Sequence, residues 1–434
     1  MKSRIIALPV LASGVLALTL TACAPGGTAS ASDSAEKPST DLGSEKITLT
    51  VASTPESGAP LAKIIPAFEQ KHPNVTVELS KTTFDDYNKG LALSLASNSS
   101  PDVALLNMMG NNAKNGLVVD LDEYAKLYHW DTEIPSTLLS QWKVGSDKVA
   151  LGGDSLYALP TSGSVVGLYY NKDLLAKAGI SAPPQTLDEL TADLKKAKEA
   201  GLVPLQLGNA QGHAAFLIQG VGQGIDGAEP ANAWALGRSG STFNTKGNRT
   251  GAQTLLDYAT EGLVPSDANA VDLQGAVTKF GSGEGVFLND GNWDAGTIEK
   301  ALGDKAGFAV FPGAKPTAIG SSTAYAISAK SKHPNAAAAF LDFLRSDAAA
   351  QASFDAGFLP FNTKAITAKP GLQADLVKTY GEVNEANGIV SFNNNATASM
   401  NDTLTQQTQE LLSGKTTVDA LVTAVQADWA GSHK

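Results

Sequence analysis

The chain has 434 residues, of which 43% are hydrophobic and 17% charged, and its formal net charge at pH 7 is −11. This acidic balance argues against nucleic acid or an anionic membrane surface as a partner, because both need clustered Lys and Arg. The length fits two domains of roughly 100–200 residues each, and the single cysteine excludes an internal disulfide framework.

The first 23 residues have the order of a secretory signal peptide. Basic Lys2 and Arg4 precede an apolar run over 5–20, and small residues lead to Cys23. The run is shorter and more interrupted than the roughly 20 apolar residues that span a bilayer. Because Cys23 is the only cysteine, the segment resembles the lipobox of bacterial lipoproteins, which implies lipidation at Cys23. Ordinary secretion with an unpaired cysteine is the alternative.

Alternating strands and helices follow a segment without apolar periodicity. Residues 23–45 are rich in Gly, Ser, Thr, Ala and Pro, which predicts a flexible, lipidated tether. Period-two alternation predicts a strand over 47–52, helical spacing predicts a helix over 61–70, and 101–106 is typical of a buried strand. This order predicts an open, mostly parallel sheet covered by helices.

A second unit of the same kind follows. Thr186 and Glu189 form a capping-box pattern at the start of one of its helices. The other predicted elements are strands over 165–170, 203–207, 286–288 and 308–311, helices over 172–178 and 334–345, and two helices within 403–429 that break at Ser413-Gly414.

Motifs of catalysis and cofactor binding are missing from the sequence. It has no Gly-x-Ser-x-Gly elbow, no phosphate-binding Gly-x4-Gly-Lys-Ser/Thr loop and no His-Glu-x-x-His, and its five histidines are scattered. The Gly-rich runs 220–224 and 281–285 lack the strand-then-helix context of a dinucleotide site and are predicted to be turns. We therefore expect no catalytic residue, no cofactor and no bound metal, and a protein that is not an enzyme.

Several runs are similar to the family 1 extracellular solute-binding proteins of bacterial ABC sugar importers, the maltose-binding-protein-like group. The clearest is LYYNKDLLAKAG at 168–179, followed by PPQTLDEL at 183–190, where Leu187 replaces the family's usual Trp. Further matches are SPDV at 100–103, YALP at 157–160, GNW at 291–293 and the stretch from 326 to 344. They occur in the family's order over nearly the whole mature chain.

The resemblance implies an α/β, two-lobe periplasmic-binding-protein-like fold of type II. Each lobe is a mostly parallel sheet flanked by helices, and hinge crossovers near 156–160, 311–317 and 359–365 join the two. After a signal peptide over 1–22, lobe 1 would comprise 46–158 and 315–362, and lobe 2 would comprise 159–314 and 363–434. The implied partners are a carbohydrate and ABC permease subunits, with the membrane reached only through the lipid anchor. A monomer is expected.

The candidate ligand contacts are polar or aromatic residues in loops after the predicted strands, where open α/β sheets place their sites. Planar amides and carboxylates match sugar hydroxyls, and aromatic rings pack on flat C–H faces. The candidates are Glu56, Ser57, Asn107, Met108, Asn111, Ser164, Gln211, His213, Asn289, Asn292, Trp293, Asn393 and Asn395.

Other interpretations of these candidates stay open. Trp293 fits an ordinary core position, 393–395 fits a plain surface turn, and His213 fits a structural role. At the position of Ser164 the maltose type has a cleft glutamate, so we do not expect the sugar to be bound in the maltose manner.

The predicted function is that of an extracytoplasmic, membrane-anchored lipoprotein that captures a carbohydrate and delivers it to an ABC permease. The carbohydrate is expected to be an oligosaccharide. One alternative is a secreted carbohydrate-active enzyme on an α/β scaffold. Another is a binding protein for a polyol, a phosphorylated polyol or a peptide. The lack of a clustered Arg/Lys signature argues against phosphorylated ligands.

The lone cysteine generates a first prediction. Cys23→Ala removes the only thiol that can carry the anchor, so the protein should be secreted or left unprocessed rather than held at the membrane. Fractionation with a radiolabelled fatty acid measures this. Lipid-labelled Cys23→Ala protein in the membrane fraction would contradict the prediction.

Overall fold

The computed structural model describes residues 37–55, 57–148 and 150–433. The predictions for the signal peptide, for Cys23 and for Glu56 lie outside these described residues. Residues from Pro38 onward form one compact unit. Within the described ranges, no helix is both long and apolar enough to cross a membrane.

The strands and helices alternate through most of the chain. The strands are β1 (Ile47–Ser53), β2 (Val75–Lys81), β3 (Val103–Leu106), β4 (Lys143–Val144), β5 (Ser155–Leu156), β6 (Leu159–Asn171), β7 (Leu205–Gln206), β8 (Phe287–Gly291), β9 (Ala306–Ala309), β10 (Ala318–Ile327) and β11 (Ile389–Val390). The helices are α1 (Leu61–Lys71), α2 (Phe84–Ala96), α3 (Asp122–Tyr128), α4 (Trp130–Glu133), α5 (Ser136–Leu139), α6 (Lys172–Lys177), α7 (Leu187–Glu199), α8 (Ala214–Asp226), α9 (Ala228–Ala235), α10 (Lys246–Thr260), α11 (Leu273–Gly281), α12 (Ala295–Leu302), α13 (Pro334–Leu344), α14 (Asp347–Asp355), α15 (Leu372–Glu385), α16 (Met400–Leu412) and α17 (Val418–Ser432).

One mixed sheet runs through the body. Its order is β2-β1-β3-β10-β6-β8-β7, with β11 beside β10 and β9 beside β6. We call β1–β3 the first half-sheet, β7–β9 with β11 the second half-sheet, and β6 and β10 the crossing strands. Strand β1 is parallel to β2 and β3, and β7 is parallel to β8, whereas the crossing strands pair antiparallel with β3, β8 and each other. The α/β class with two largely parallel halves is confirmed.

The crossing strands hold the two halves together. Residues Leu159–Val165 of β6 pair with Tyr325–Gly320 of β10, and the register shifts between Thr323 and Ala324. Leu359 adds a third connection, because Gly163 and Leu359 each donate a backbone hydrogen bond to the other, at 2.7 and 3.1 Å. The predicted crossover at 156–160 overlaps the start of β6, and that at 311–317 directly precedes β10; both stay predictions.

Elements with strong periodicity or capping signals form where the sequence predicts them. Thr186 and Glu189 make the predicted capping box at the start of α7. The predicted helix over 334–345 is α13, and the last two helices, α16 and α17, are separated at Ser413-Gly414. The predicted strand over 165–170 is only the second half of β6.

The Gly-rich run 220–224 is not a turn, which corrects the sequence prediction. It lies inside α8, where α10 packs closely. A Cβ on Gly247 would overlap the backbone oxygen of Gly222, and one on Gly251 would overlap that of Ile218. The glycines therefore permit close helix packing. In the second run, Gly283 and Gly285 have φ of +91° and +141°, which agrees with the predicted turn.

Residues 38–45, predicted as the last part of the flexible tether over 23–45, lie against the compact unit; residues 23–36 of that prediction lie outside the described residues. The backbone N–H of Ser39 donates to Asn335 Oδ1 at 3.0 Å, and Asn74 Nδ2 donates to the carbonyls of Gly43 and Glu45 at 3.3 and 3.1 Å. Leu42 packs against the core. Amide side chains of the compact unit thus provide hydrogen-bond partners for the backbone of residues 39–45, a segment without apolar periodicity.

A second prediction concerns Gly163, at the junction of β6 with Leu359. A Cβ here would overlap the buried Tyr380 ring on α15. Gly163→Ala should therefore lower the free energy of unfolding in urea by about 1–3 kcal/mol. Gly381→Ala is the matched control, because it lies next to Tyr380 on α15 with open space around it; it should leave stability unchanged or raise it by up to about 1 kcal/mol. Equal destabilisation by both variants would contradict the prediction.

Candidate ligand-binding site

The strand ends of both halves face each other across the middle of the crossing strands. On β10, Leu106 at the end of β3 pairs with Ala324, and Val390 at the end of β11 pairs with Ile319. These two positions are five residues apart, about 17 Å at roughly 3.3–3.4 Å per residue. Gly291 at the end of β8 pairs with Val166, next to the same region. Open α/β sheets bind ligands outside the carboxyl ends of their strands.

On the first half-sheet, the loop after β1 is fixed to a crossing strand. The buried Tyr325 hydroxyl of β10 donates to the carbonyl of Ser57 at 3.1 Å and lies 3.0 Å from Ser53 Oγ. Hydroxyls of Thr161 and Thr323 line a cavity of about 10 Å³ beneath the same loop, which is room for about one water molecule. The loop therefore offers a preformed polar wall.

The loop after β3 carries three of the predicted contacts. Asn107 is half-buried and its Nδ2 donates to Asn88 Oδ1 on α2 at 2.8 Å. Met108 is 60% exposed, and Asn111 is also exposed. Among the described residues, no hydrogen bond or ring contact joins this loop to the second half-sheet.

On the second half-sheet, four aromatic side chains form a continuous row. Ring centroids are 6.1 Å apart for Trp293 and Phe392, 5.7 Å for Phe392 and Phe216, and 5.2 Å for Phe216 and His213. We call these four residues the aromatic row. It brings together His213 and Trp293, which the sequence predicts as contacts. Phe216 and Phe392 were not predicted; the only signal is that Phe392 stands between β11 and the Asn run.

Two buried amides hold the loop that carries Phe392. Gln219 of α8 donates to the Ser391 carbonyl at 2.7 Å and accepts from the Asn393 N–H at 3.0 Å. Asn232 of α9 accepts from the Ser391 N–H at 2.8 Å. Because the backbone on both sides of Phe392 is tied to helices, the position of Phe392 in the loop is fixed.

Trp293 is not a core residue. Its side chain is 40% exposed, whereas Trp130, Trp142, Trp234 and Trp429 are each at most 5% exposed. Its six-membered ring lies across Gly291, where a Cβ would overlap it. The six-membered ring therefore packs against the end of β8, and part of the side chain stays exposed.

Three of the predicted ligand contacts have side chains that form hydrogen bonds within the protein. The buried Asn292 accepts from the Val165 N–H at 2.8 Å and donates to the Gly357 carbonyl at 2.7 Å. Asn289 donates to the Gly167 carbonyl at 2.8 Å, and Ser164 Oγ lies 3.2 Å from Ser321 Oγ. These side chains join β8 and the crossing strands, which favours a supporting role.

The remaining predicted contacts surround the aromatic row. Burial lowers the pKa of His213 against the opposing effect of Asp294, so the ring is neutral at neutral pH, and its Nδ1 has no partner. Gln211 and Asn395 are exposed, and Asn393 is buried. No group of His, Cys, Asp or Glu within the described part of the chain is arranged to hold a metal ion.

Two facing sets of strand ends, one with hydroxyls and one with the aromatic row, form the candidate ligand site. Residues 52–351 match the model of the bacterial extracellular solute-binding proteins, and the chain belongs to this family. Its members are binding proteins rather than enzymes.

The chain is similar to named relatives. It is 24% identical over 324 residues to a multiple sugar-binding protein of Streptococcus mutans, covering 72% of this chain and 74% of that protein. It is 25% identical over 295 residues to a galactooligosaccharide-binding protein of Bacillus subtilis, covering 66% and 63%. A solved chitin oligosaccharide binding protein has the same fold, with a TM-score of 0.70 at 23% identity over 89% of this chain and 99% of that one.

A third prediction follows from the two hydrogen bonds of Asn292. Asn292→Ala leaves the buried Val165 N–H and the Gly357 carbonyl without partners, and each such group costs about 1–3 kcal/mol. The free energy of unfolding should therefore fall by at least about 1 kcal/mol in urea titration. Asn395→Ala, at an exposed position, is the control and should change stability by less than about 0.5 kcal/mol. A stable Asn292→Ala protein would contradict the supporting role.

Proposed function

We propose that this protein captures an uncharged carbohydrate between its two half-sheets, outside the cytoplasm, and delivers it to an ABC permease. The observation that carries the proposal is the aromatic row, which ends in the partly exposed Trp293 at the meeting point of the strand ends. The sugar ligands in the names of the relatives support the same class of ligand.

The chemistry of the two walls suits a sugar. The open side of Trp293 can pack against a C–H face, with Phe392 next to it. Beside the second half-sheet, the proposed hydrogen-bond partners of the ligand's hydroxyls are Gln211, His213, Asn393 and Asn395. Each hydroxyl must find a partner on burial, because an unpaired one costs about 1–3 kcal/mol.

The opposite wall completes the proposed site. Ser57, Asn107, Met108 and Asn111 contribute from the first half-sheet, together with Glu56. None of the proposed contacts is Lys or Arg, which favours an uncharged ligand over a phosphorylated one. The separation of about 17 Å between strand ends leaves room for more than one sugar ring, which supports an oligosaccharide.

The location belongs to the same proposal. A lipid on Cys23 would tether a monomer to the outer face of the cell membrane, and the permease subunits would receive the ligand there. The signal-like first 23 residues and the family's extracellular members support this placement.

A thermal-shift screen tests the ligand class. Its panel contains neutral oligosaccharides, their monosaccharides, sorbitol and a sugar phosphate. A ligand present at a hundred times its dissociation constant adds about 2.7 kcal/mol of stability, a shift that is readily measured. Stabilisation by an oligosaccharide supports the proposal. Stabilisation only by sorbitol or by the phosphate contradicts it, as does the appearance of hydrolysis products of the oligosaccharides.

A fourth prediction tests the aromatic row. Trp293→Ala should weaken binding of the oligosaccharide found in the screen at least about tenfold, or roughly 1.4 kcal/mol, in calorimetry. The fold should persist, since the side chain is partly exposed. Leu93→Ala is the control: Leu93 is also apolar and 78% exposed, but lies on α2 outside the row. Unchanged affinity in a folded Trp293→Ala protein would show that Trp293 is not a sugar platform.

A further inference from the structure

Two buried carboxyl groups enclose the turn that carries Trp293. Asp290 lies in β8 with 0% exposure, and Asp294 ends the short 3-10 turn Asn292–Asp294 with 5% exposure. Asp290 Oδ1 accepts from the Gly291 N–H at 2.7 Å, and Asp294 Oδ1 accepts from Gln274 Nε2 at 3.0 Å. The second oxygen, Oδ2, of each is buried without a partner.

The side chains of Asp290 and Asp294 lie within hydrogen-bonding reach of each other, so a proton on one carboxyl can be donated to the other. A protonated carboxyl donates one hydrogen bond, whereas two ionised carboxylates only accept and repel each other. The pKa of Asp290 is raised well above its ordinary range, first by burial and then by the charge and hydrogen bond of Asp294. Two charges at these depths would lack the water that stabilises an ion.

The other titratable groups around the two carboxyls do not replace this proton. On β6, Tyr169 donates its hydroxyl to the Gly291 carbonyl at 2.9 Å, and burial raises its pKa. Burial lowers the pKa of His213, before α8, against the opposing charges of Asp294 and Asp272. Asp272 caps α11 through the Gly275 N–H, and Glu299 of α12 accepts from Gln373.

We propose that Asp290 and Asp294 share one proton, and that this proton closes the Gly291-Asn292-Trp293 turn and so positions the indole at the ligand site. Both are positioning residues, since Trp293 is the group that meets the ligand. The inference deepens the proposed function and rests on it only for the identity of that ligand.

The sign of the pH effect follows from linkage. The folded protein keeps the proton to higher pH than the unfolded chain, in which Asp290 titrates normally. The stability that the shared proton contributes is present at low pH and is lost as the pH rises towards the folded-state pKa of Asp290. Above that value the turn carries two like charges, and Trp293 should move.

The arrangement of tryptophans allows a direct test without any sugar. Trp293 is the one tryptophan of five with substantial exposure, so acrylamide quenching of the fluorescence reports on its position. The purified protein is measured from about pH 5 to about pH 9, together with its thermal midpoint. In the wild type, quenching should change and the midpoint should fall as the pH rises. Trp293→Phe should remove the pH-dependent quenching.

Amide variants separate this proposal from a merely structural role. Asp290→Asn keeps a donor towards Asp294 and removes one charge, so its quenching and midpoint should lose the pH dependence. Should that variant not fold, Asp294→Asn gives the same test from the other side, because its amide can donate to Asp290. Glu299→Gln changes a carboxyl group outside the pair and should keep the wild-type profile.

Several results would overturn the proposal. These are quenching that is flat in the wild type, an amide variant that follows the wild-type profile, and a pH dependence that disappears in Glu299→Gln. Flat quenching in a protein that an oligosaccharide stabilises overturns the shared proton alone. A pH-dependent profile in a protein that no sugar stabilises supports the shared proton and contradicts the carbohydrate function.

Discussion

The antiparallel pairing of β6 with β10 is the constraint on which the rest of the structure depends. Strand ends of both halves are placed by their register against these two strands: Leu106 against Ala324, Val390 against Ile319, and Gly291 against Val166. The crossing strands carry glycine where they closely approach each other or a neighbouring element. A Cβ on Gly163 would overlap Tyr380, and one on Gly320 would overlap the Ser164 carbonyl. The register shift at Thr323 is the one irregularity in this ladder among the described pairs, so a change in the angle between the halves would disturb the fewest hydrogen bonds there.

The two walls of the site differ in how firmly they are built. The aromatic row of the second half-sheet is held from behind by Gln219 and Asn232, and Trp293 rests on Gly291. On the first half-sheet, only the Ser57 loop is fixed to a crossing strand, while Met108 and Asn111 are exposed. A ligand that first meets the prearranged wall loses less free energy to the ordering of side chains. In the proposed site, the exposed side chains of Met108 and Asn111 on the first half-sheet would then adapt to the ligand.

Local signals in the sequence predicted the elements with strong periodicity or capping patterns, whereas close approaches between elements were not predictable. The capping box of α7 and the apolar periodicity of α1 are properties of a few neighbouring residues, and both formed as predicted. The Gly-rich run 220–224 has the composition of a turn, but it lies inside α8, against which α10 packs closely. The segment 38–45 has no periodicity, so its order depends on Asn74 and Asn335, which lie far away in sequence. For the same reason Phe216 gave no signal as part of the site, and Phe392 gave only its place before the Asn run.

The turn after β8 shows why a loop can be predicted as functional before its residues can be assigned roles. Asn292 and Trp293 are both predicted ligand contacts and Asp294 directly follows them, yet burial separates the three residues, which are 2%, 40% and 5% exposed. Asn292 supplies hydrogen bonds to two backbone groups that would otherwise be unpaired, and Asp294 accepts one from Gln274. An indole that is left partly exposed forfeits part of the burial energy of its large ring. The buried polar neighbours offset this by fixing the backbone on either side. Polar residues beside a binding loop are therefore divided between those that meet the ligand and those that hold the loop in shape, and only three-dimensional contacts distinguish the two groups.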